Sequence, residues 1–97
     1  MAQFIAIARR AYGRFAEADF TPELLEAEAE QARVLYGEGI FRAMWGHRSP
    51  AGAVVLIEAE SRAAADAALA TLPLMQRGML DVEVLDASPY RGFGPRG

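Results

Sequence analysis

The sequence contains no cysteine and only one histidine in its 97 residues. The absence of thiols excludes a disulfide framework, a thiolate nucleophile and a zinc–thiolate site. A single histidine also excludes a two-histidine metal site within one chain. Nothing in this composition points to a metal centre.

The sequence also lacks a net positive charge and long apolar runs. The net charge of −3 and the pI near 5.1 give no basic footprint for nucleic acid. No apolar run approaches the ~18 residues that a membrane-spanning helix needs. The amino terminus lacks the charged start, apolar stretch and cleavage site of a secretory signal. We therefore expect a cytoplasmic protein that binds neither nucleic acid nor membranes.

The length predicts one domain over residues 1–97, because domains usually hold about 100 residues or more. Hydrophobic residues make up 53% and charged residues 24%, which is ordinary for a globular protein. A chain of this size buries only about 60 to 65% of its extended surface, so its stability margin is small. Oligomerisation would enlarge that margin.

Hydrophobic patterning predicts six elements. Segments rich in β-branched, aromatic or alternating apolar residues predict strands at 3–9, 40–45, 53–58 and 80–85. Helices are predicted from the capping residue Thr21 to about Gly37, and from Ser61 to a stop at Leu72-Pro73-Leu74. Ser49 to Gly52 reads as a hairpin turn, and residues 88–97 as an irregular tail.

The order β-α-β-β-α-β is typical of the ferredoxin-like α+β arrangement, a four-stranded antiparallel sheet with both helices on one face. Apolar residues fall on both faces of the third strand, at Val54 and Leu56 and at Val55 and Ile57. Both faces should therefore be buried. Because this chain can cover only one of them, we expect a homodimer.

Three stretches occur together in this order: Gly39-Ile40-Phe41-Arg42 leading to Trp45, then Leu72-Pro73-Leu74, then Asp81-Val82-Glu83-Val84. With them, residues 23–85 resemble the muconolactone isomerase family. The resemblance implies a dimeric α+β barrel, in some cases assembled into rings, with a small pocket between helices and sheet. It implies an isomerase of aromatic compound catabolism that moves a double bond in an unsaturated lactone without metal or organic cofactor.

The chain departs from that family at positions that bear on the substrate. Family members carry a basic residue after the carboxylate of the first helix and a His after the Arg of the second strand, where this chain has Ala29 and Ala43. The segment Met75–Met79 is also longer than the corresponding link. We therefore expect a different substrate.

Glu28 and Arg42 are the predicted catalytic residues. Glu28 lies in the apolar stripe of the first helix, where burial would raise the pKa of its carboxyl towards that of a useful base. Arg42 could hold a substrate carboxylate or an enolate. The alternatives are a slightly rotated helix that turns Glu28 to water, and a purely structural ion pair for Arg42.

Trp45, His47 and Tyr36 are predicted to bind substrate. Trp45 is also consistent with core or dimer packing, and His47 with a surface position before the turn. The spacing of Tyr36 assigns it no task. The Arg9-Arg10 pair reads as a solvated strand end.

Three hypotheses remain open from sequence. The first is a cofactor-independent isomerase, or a related lyase or cyclase, acting beside a carbonyl group with Glu28 as the base. The second is a dimeric module that binds a small hydrophobic ligand without converting it. The third is a structural subunit that joins a larger complex through its aromatic tail, which carries Tyr90 and Phe93.

Overall fold

The computed structural model describes residues 1–48 and 51–93, which form four strands, three helices and two short 3-10 turns. In chain order the strands and helices are β1 (Ala2–Arg10), α1 (Pro22–Gly37), β2 (Phe41–Arg48), β3 (Ala51–Ala59), α2 (Arg62–Leu69), α3 (Pro73–Gln76) and β4 (Leu80–Ala87). The 3-10 turns cover Glu17–Asp19 and Arg91–Phe93. No helix within the described ranges is long and apolar enough to cross a membrane.

The strands form one antiparallel sheet in the order β2-β3-β1-β4. Side chains from α1 and α2 join the main core cluster with one face of this sheet, and Phe20, Leu74 and Met79 form a second, smaller cluster. We call this face of the sheet the helix-facing side, and the opposite surface the open face. The predicted ferredoxin-like α+β fold is therefore confirmed, including the antiparallel pairing of β2 with β3.

Local signals in the sequence set the helix ends. The Thr21 hydroxyl accepts a hydrogen bond from the Leu24 N–H at 3.2 Å, and Pro22 occupies the first helical position of α1. Gly39 adopts a positive φ of 79°, after which the Ile40 N–H donates to the Leu35 carbonyl at 3.0 Å and closes the helix end. The Ser61 hydroxyl caps α2 in the same way as Thr21 caps α1.

The core follows from alternation along the central strands. Phe4 and Ala6 of β1 are buried against Val55 and Ile57 of β3, and Leu35 of α1 packs on the same cluster. Alternate residues on a strand share one face, so these side chains all meet the helices. Small residues of α2 allow it to lie close to the sheet.

The open face is apolar at its centre and uncovered by this chain. Ile5 and Ile7 of β1 lie beside Leu56 and Val54 of β3, and all four are half-buried. On the flanking strands, 59% of Trp45 and 43% of Leu85 is exposed. A partner that covers this face stays a prediction.

The second helix ends three residues before the stop predicted at Leu72-Pro73-Leu74, but the short helix that follows it was not predicted. Helix α2 ends at Leu69, and Pro73 instead opens α3 as its first helical residue. Proline is well suited to that position, because it has no N–H to satisfy and its φ is already helical.

The predicted hairpin turn and tail fall partly outside the described residues. Ser49 and Pro50 are among the residues not described, whereas Ala51 and Gly52 belong to β3. In the tail, residues 94–97 are not described. The rings of Tyr90 and Phe93 lie 5.2 Å apart in an exposed turn.

Candidate functional site

A cavity of about 490 Å³ lies between α1, α3 and the helix-facing side of the sheet. This volume falls in the range of sites that bind small molecules. Its helix wall includes Leu25, Ala29 and Ala32 of α1, and its sheet wall includes Ala8, Ala53 and Val82. Alanines that face each other across the gap leave space that larger side chains would fill.

Two charged residues line this otherwise apolar cavity. They are Glu28 of α1 and Arg10, the last residue of β1. They do not form an ion pair with each other, since the ion pairs within residues 1–48 and 51–93 involve other side chains. A cavity with few polar groups and mainly apolar walls is typical of ligand sites, in which the polar groups fix the orientation of the ligand.

Glu28 joins the helix wall to α3. Its carboxylate accepts a hydrogen bond from the Leu74 N–H at 2.9 Å, across 46 positions of the chain. The first residues of a helix present N–H groups that have no partner within the helix, and the Leu72 side chain does not cap α3. Glu28 therefore also has a structural task.

Burial raises the pKa of the Glu28 carboxyl above its ordinary value. The hydrogen bond from Leu74 acts in the opposite direction, because it stabilises the ionised form, but it is the smaller effect. The side chain is half-buried in the described chain. Glu28 is thus a carboxylate whose affinity for protons is increased by apolar surroundings, and this is the property that a general base needs.

Arg10 reaches the cavity because it shares strand parity with Phe4, Ala6 and Ala8. Its guanidinium lies over the Phe20 ring, with the Cζ atom 5.0 Å from the ring centroid. Its Nη1 donates a hydrogen bond to the Tyr12 hydroxyl at 3.3 Å. Arg9 points to the opposite face of the sheet.

Arg42 does not line the cavity. It falls where the pairing of β2 with β3 shifts register between Phe41 and Ala43, and its side chain is exposed. A Cβ atom added at Gly39 would lie 3.6 Å from Arg42 Nη1, so the guanidinium sits beside the turn that ends α1. The structure therefore does not bring Glu28 and Arg42 together in one cavity, and the role of Arg42 stays a prediction.

Trp45 and His47 lie on the open face, away from Glu28. Trp45 is opposite Val54, and His47 is opposite Gly52. Nε2 of His47 is 3.0 Å from the Ala8 carbonyl oxygen, so the ring reaches across β3 to β1. Gly52 permits this approach, because a Cβ there would overlap the same carbonyl oxygen and lie 2.8 Å from Nε2.

Tyr36 lies outside the cavity as well. It is on α1 one residue from the end of the helix, and 66% of it is exposed. The three predicted substrate-binding residues are therefore distributed over two surfaces, neither of which contains Glu28.

Arg10 is the cavity residue that sequence reasoning missed. The signal was present, since Arg10 follows Phe4, Ala6 and Ala8 at intervals of two and so belongs to their face. The solvated-end interpretation treated both arginines alike, although neighbours on a strand face opposite sides.

No cluster of three or more His, Cys, Asp or Glu side chains suited to a metal ion is found in the described part of the chain. No family model matches the sequence, and a search of curated proteins gives no match. The resemblance to the muconolactone isomerase family therefore stays a prediction that rests on the motifs quoted above.

Proposed function

We propose that this protein is a cofactor-independent, muconolactone-isomerase-like enzyme in which Glu28 moves a proton beside a carbonyl group of a small unsaturated lactone or related compound. The observation that carries the proposal is a carboxylate with a raised pKa in the wall of an apolar cavity. A general base acts best when its pKa approaches the working pH, and burial shifts Glu28 in that direction.

The surroundings of Glu28 support proton transfer in a second way. Leu25, about one helical turn before Glu28, and Leu74, whose N–H is bonded to its carboxylate, both line the cavity. Apolar walls strengthen electrostatic interactions between a bound substrate and the carboxylate. The bond from the Leu74 N–H fixes the position of the carboxylate. A positioned base needs no reorganisation at the moment of reaction.

The alternative is a module that binds a small hydrophobic ligand and does not convert it. The Glu28 hydrogen bond to Leu74 favours this alternative, because it gives the carboxylate a structural reason to be there. Ala29 and Ala43, which replace polar residues of the family that the chain resembles, favour it too.

The proposed enzyme or module works as a homodimer through the open face. A two-fold axis parallel to the strands, within the interface, places β2 of one copy over β4 of its partner and keeps the same strand ends together. The end of β2 then brings His47 towards Asp81 and Glu83 at the start of β4. Apolar side chains of β1 and β3 fill the centre of this interface, as in the core of a stable protein interface.

Proton exchange in D2O, followed by NMR, tests the enzyme. A panel of unsaturated lactones and β-keto acids is incubated with the native protein, with Glu28→Gln and with Glu30→Gln, a control on the exposed side of α1. We expect exchange at the carbon beside the carbonyl to fall at least about a hundredfold in Glu28→Gln only. Exchange that persists in folded Glu28→Gln excludes Glu28 as the base. Binding without exchange supports the ligand-binding module.

Sedimentation velocity over a range of concentrations tests the dimer. We expect Trp45→Asp to weaken association, because it places a charge within the proposed interface. Val34→Asp is the matched control, since Val34 is 44% exposed on α1 and away from the sheet. A native protein that stays monomeric at the highest concentration contradicts the proposed interface.

A further inference from the structure

The cavity contains a positive charge for which the described chain supplies no counter-charge. Among residues 1–48 and 51–93, Tyr12 is the side chain that accepts a hydrogen bond from Arg10, and no carboxylate forms an ion pair with it. A guanidinium carries five N–H donors. Arg10 therefore has most of its donors available.

The guanidinium is nevertheless held in place. It lies over the face of Phe20, which is 5% exposed, and Tyr12 packs edge-on against the same ring with centroids 5.5 Å apart. Stacking on an aromatic face restricts the orientation of a guanidinium and reduces the entropy lost on binding. Arg10 is thus a pre-oriented cation and not a mobile side chain at the end of a strand.

The two charged residues of the cavity are kept apart. The Glu28 carboxylate accepts a hydrogen bond from the Leu74 N–H, and the Arg10 guanidinium donates one to the Tyr12 hydroxyl. Opposite charges that line one apolar cavity without pairing leave room for a ligand between them. The ligand that fits is an anion at one end, where it meets Arg10, and apolar over its remaining length, where it meets the alanine-rich walls.

We infer that Arg10 determines specificity in this cavity by binding the carboxylate of a small monocarboxylic acid that has an apolar body. The inference rests on the proposed function in one respect, that a ligand occupies this cavity. It assigns to Arg10 the anion-binding role that the sequence suggested for Arg42. A second carboxylate on the ligand is disfavoured, because it would approach Glu28.

Two unreactive probes of matched shape test the inference. Cyclohexylacetate and cyclohexylacetamide have the same apolar body and differ in charge. Calorimetric or NMR titrations give the ratio of their affinities for the native protein. Because a charge-assisted hydrogen bond is about twice as strong as a neutral one, we expect the acid to bind at least about tenfold more tightly.

Three variants show which residue causes the preference for the acid. Arg10→Met keeps the length and apolar stem of the side chain and removes the charge, so we expect the acid to lose its advantage while amide binding changes little. Arg9→Met is the matched control, since Arg9 is adjacent in sequence and faces away from the cavity. Arg10→Lys keeps the charge without the planar fork, and we expect a preference between those of the native protein and Arg10→Met.

Several results would overturn the inference. They are equal binding of acid and amide by the native protein, an undiminished preference in folded Arg10→Met, and loss of the preference in Arg42→Met instead. Binding of neither probe also counts against it. These failures are separable from failure of the proposed function, because Glu28-dependent proton exchange in an uncharged ketone would support the base while Arg10 loses its assigned role.

Discussion

The two faces of the sheet carry similarly apolar side chains but have different surroundings. On the helix-facing side, Phe4 and Ile57 are 4% and 0% exposed beneath the helices. On the open face, their chain neighbours Ile5 and Leu56 are only half-buried, although they are equally apolar. The cavity with its two charged residues belongs to the helix-facing side.

This difference shows what alternation can and cannot establish. Alternation assigns each residue to a face, because the side-chain period of a strand is two. It does not say what covers that face. The helix-facing side is covered by the chain itself, whereas the open face has the composition of a covered surface and no cover among the described residues.

The largest expected difference between the faces is in β2. Phe41 is 1% exposed and Trp45, four residues later, is 59% exposed. We expect Phe41→Ala to lower the free energy of unfolding by about 3 to 5 kcal/mol, because it leaves a cavity in the core. We expect Trp45→Ala to cost less than about 1 kcal/mol in dilute protein, as measured by urea unfolding.

The opposite outcome is a large loss in the free energy of unfolding for Trp45→Ala that grows with protein concentration. It would show that a second copy covers Trp45, since a dimer interface stabilises the folded state by mass action. Should Phe41→Ala fail to fold, Ile57→Val, with an expected cost of about 0.5 to 1.5 kcal/mol, takes its place.

The next effect concerns Gly52, where β3 passes between His47 and β1. A Cβ at this position would overlap the Ala8 carbonyl oxygen, which belongs to the backbone and cannot move away freely. We therefore expect Gly52→Ala to destabilise the protein by about 1 to 3 kcal/mol or more. Thermal unfolding measures this cost.

Gly46→Ala is the matched control for Gly52. The nearest atom to an added Cβ at Gly46 is the Gly52 carbonyl oxygen at 3.9 Å, which is ordinary contact. We expect the free energy of unfolding of this variant to stay within about 0.5 kcal/mol of that of the native protein. If both glycines tolerate alanine equally, the close approach of His47 to Ala8 is not a constraint on the sheet.

A third effect is a dependence on pH that arises from Glu28 in the cavity. Burial raises the pKa of Glu28 in the folded state above the ordinary value of 4.5. Between the two values the folded protein binds the proton that the unfolded chain has released. The contribution of Glu28 to the free energy of unfolding therefore decreases as pH rises through this range.

Urea unfolding of native protein and Glu28→Gln from pH 4 to pH 8 measures this effect. We expect the native protein to lose stability relative to Glu28→Gln as pH rises, because the glutamine has no proton to release. Glu30→Gln controls for the removal of a charge from α1. Parallel curves for native protein and Glu28→Gln would mean that Glu28 is solvated in the folded state.

The last comparison is between the two opposite faces of β4. Leu85 is 43% exposed on the open face, whereas Val82 is half-buried and packs against the core. In dilute protein we expect Leu85→Thr to change stability by no more than about 0.5 kcal/mol. We expect Val82→Thr to cost about 1 to 3 kcal/mol, because its hydroxyl enters an apolar region. Equal costs by urea unfolding would contradict the assignment of the two faces.

Much of the fold was predictable because the signals are local. Thr21 followed by Pro22 marks the start of α1, and the predicted end near Gly37 agrees with the observed one. The position of Glu28 in the apolar stripe also followed from helical spacing. The role of Pro73 as the first residue of α3 was not predictable, because proline is found both after the ends of helices and at their starts. Only the packing of the following turn distinguishes the two.

The site was harder to predict because it depends on departures from regular geometry. The register shift between Phe41 and Ala43 places Trp45 on the open face, although four residues of regular strand would put it on the same face as the buried Phe41. No residue type there signals a bulge. Arg10 was predictable from parity alone. Its stacking on Phe20 was not, because that contact joins β1 to the loop before α1.

The strand order also determines when the sheet can form. β1 precedes every other strand, yet it lies at the centre, where Phe4 is paired with Ile57 of β3 and with Asp86 of β4. Both pairings close long loops, and loops of this kind slow folding because their entropy is lost before contacts compensate for it. During synthesis, the apolar residues of β1 therefore emerge first and remain without strand partners until β3 is made, which is the interval in which this chain is most exposed to aggregation.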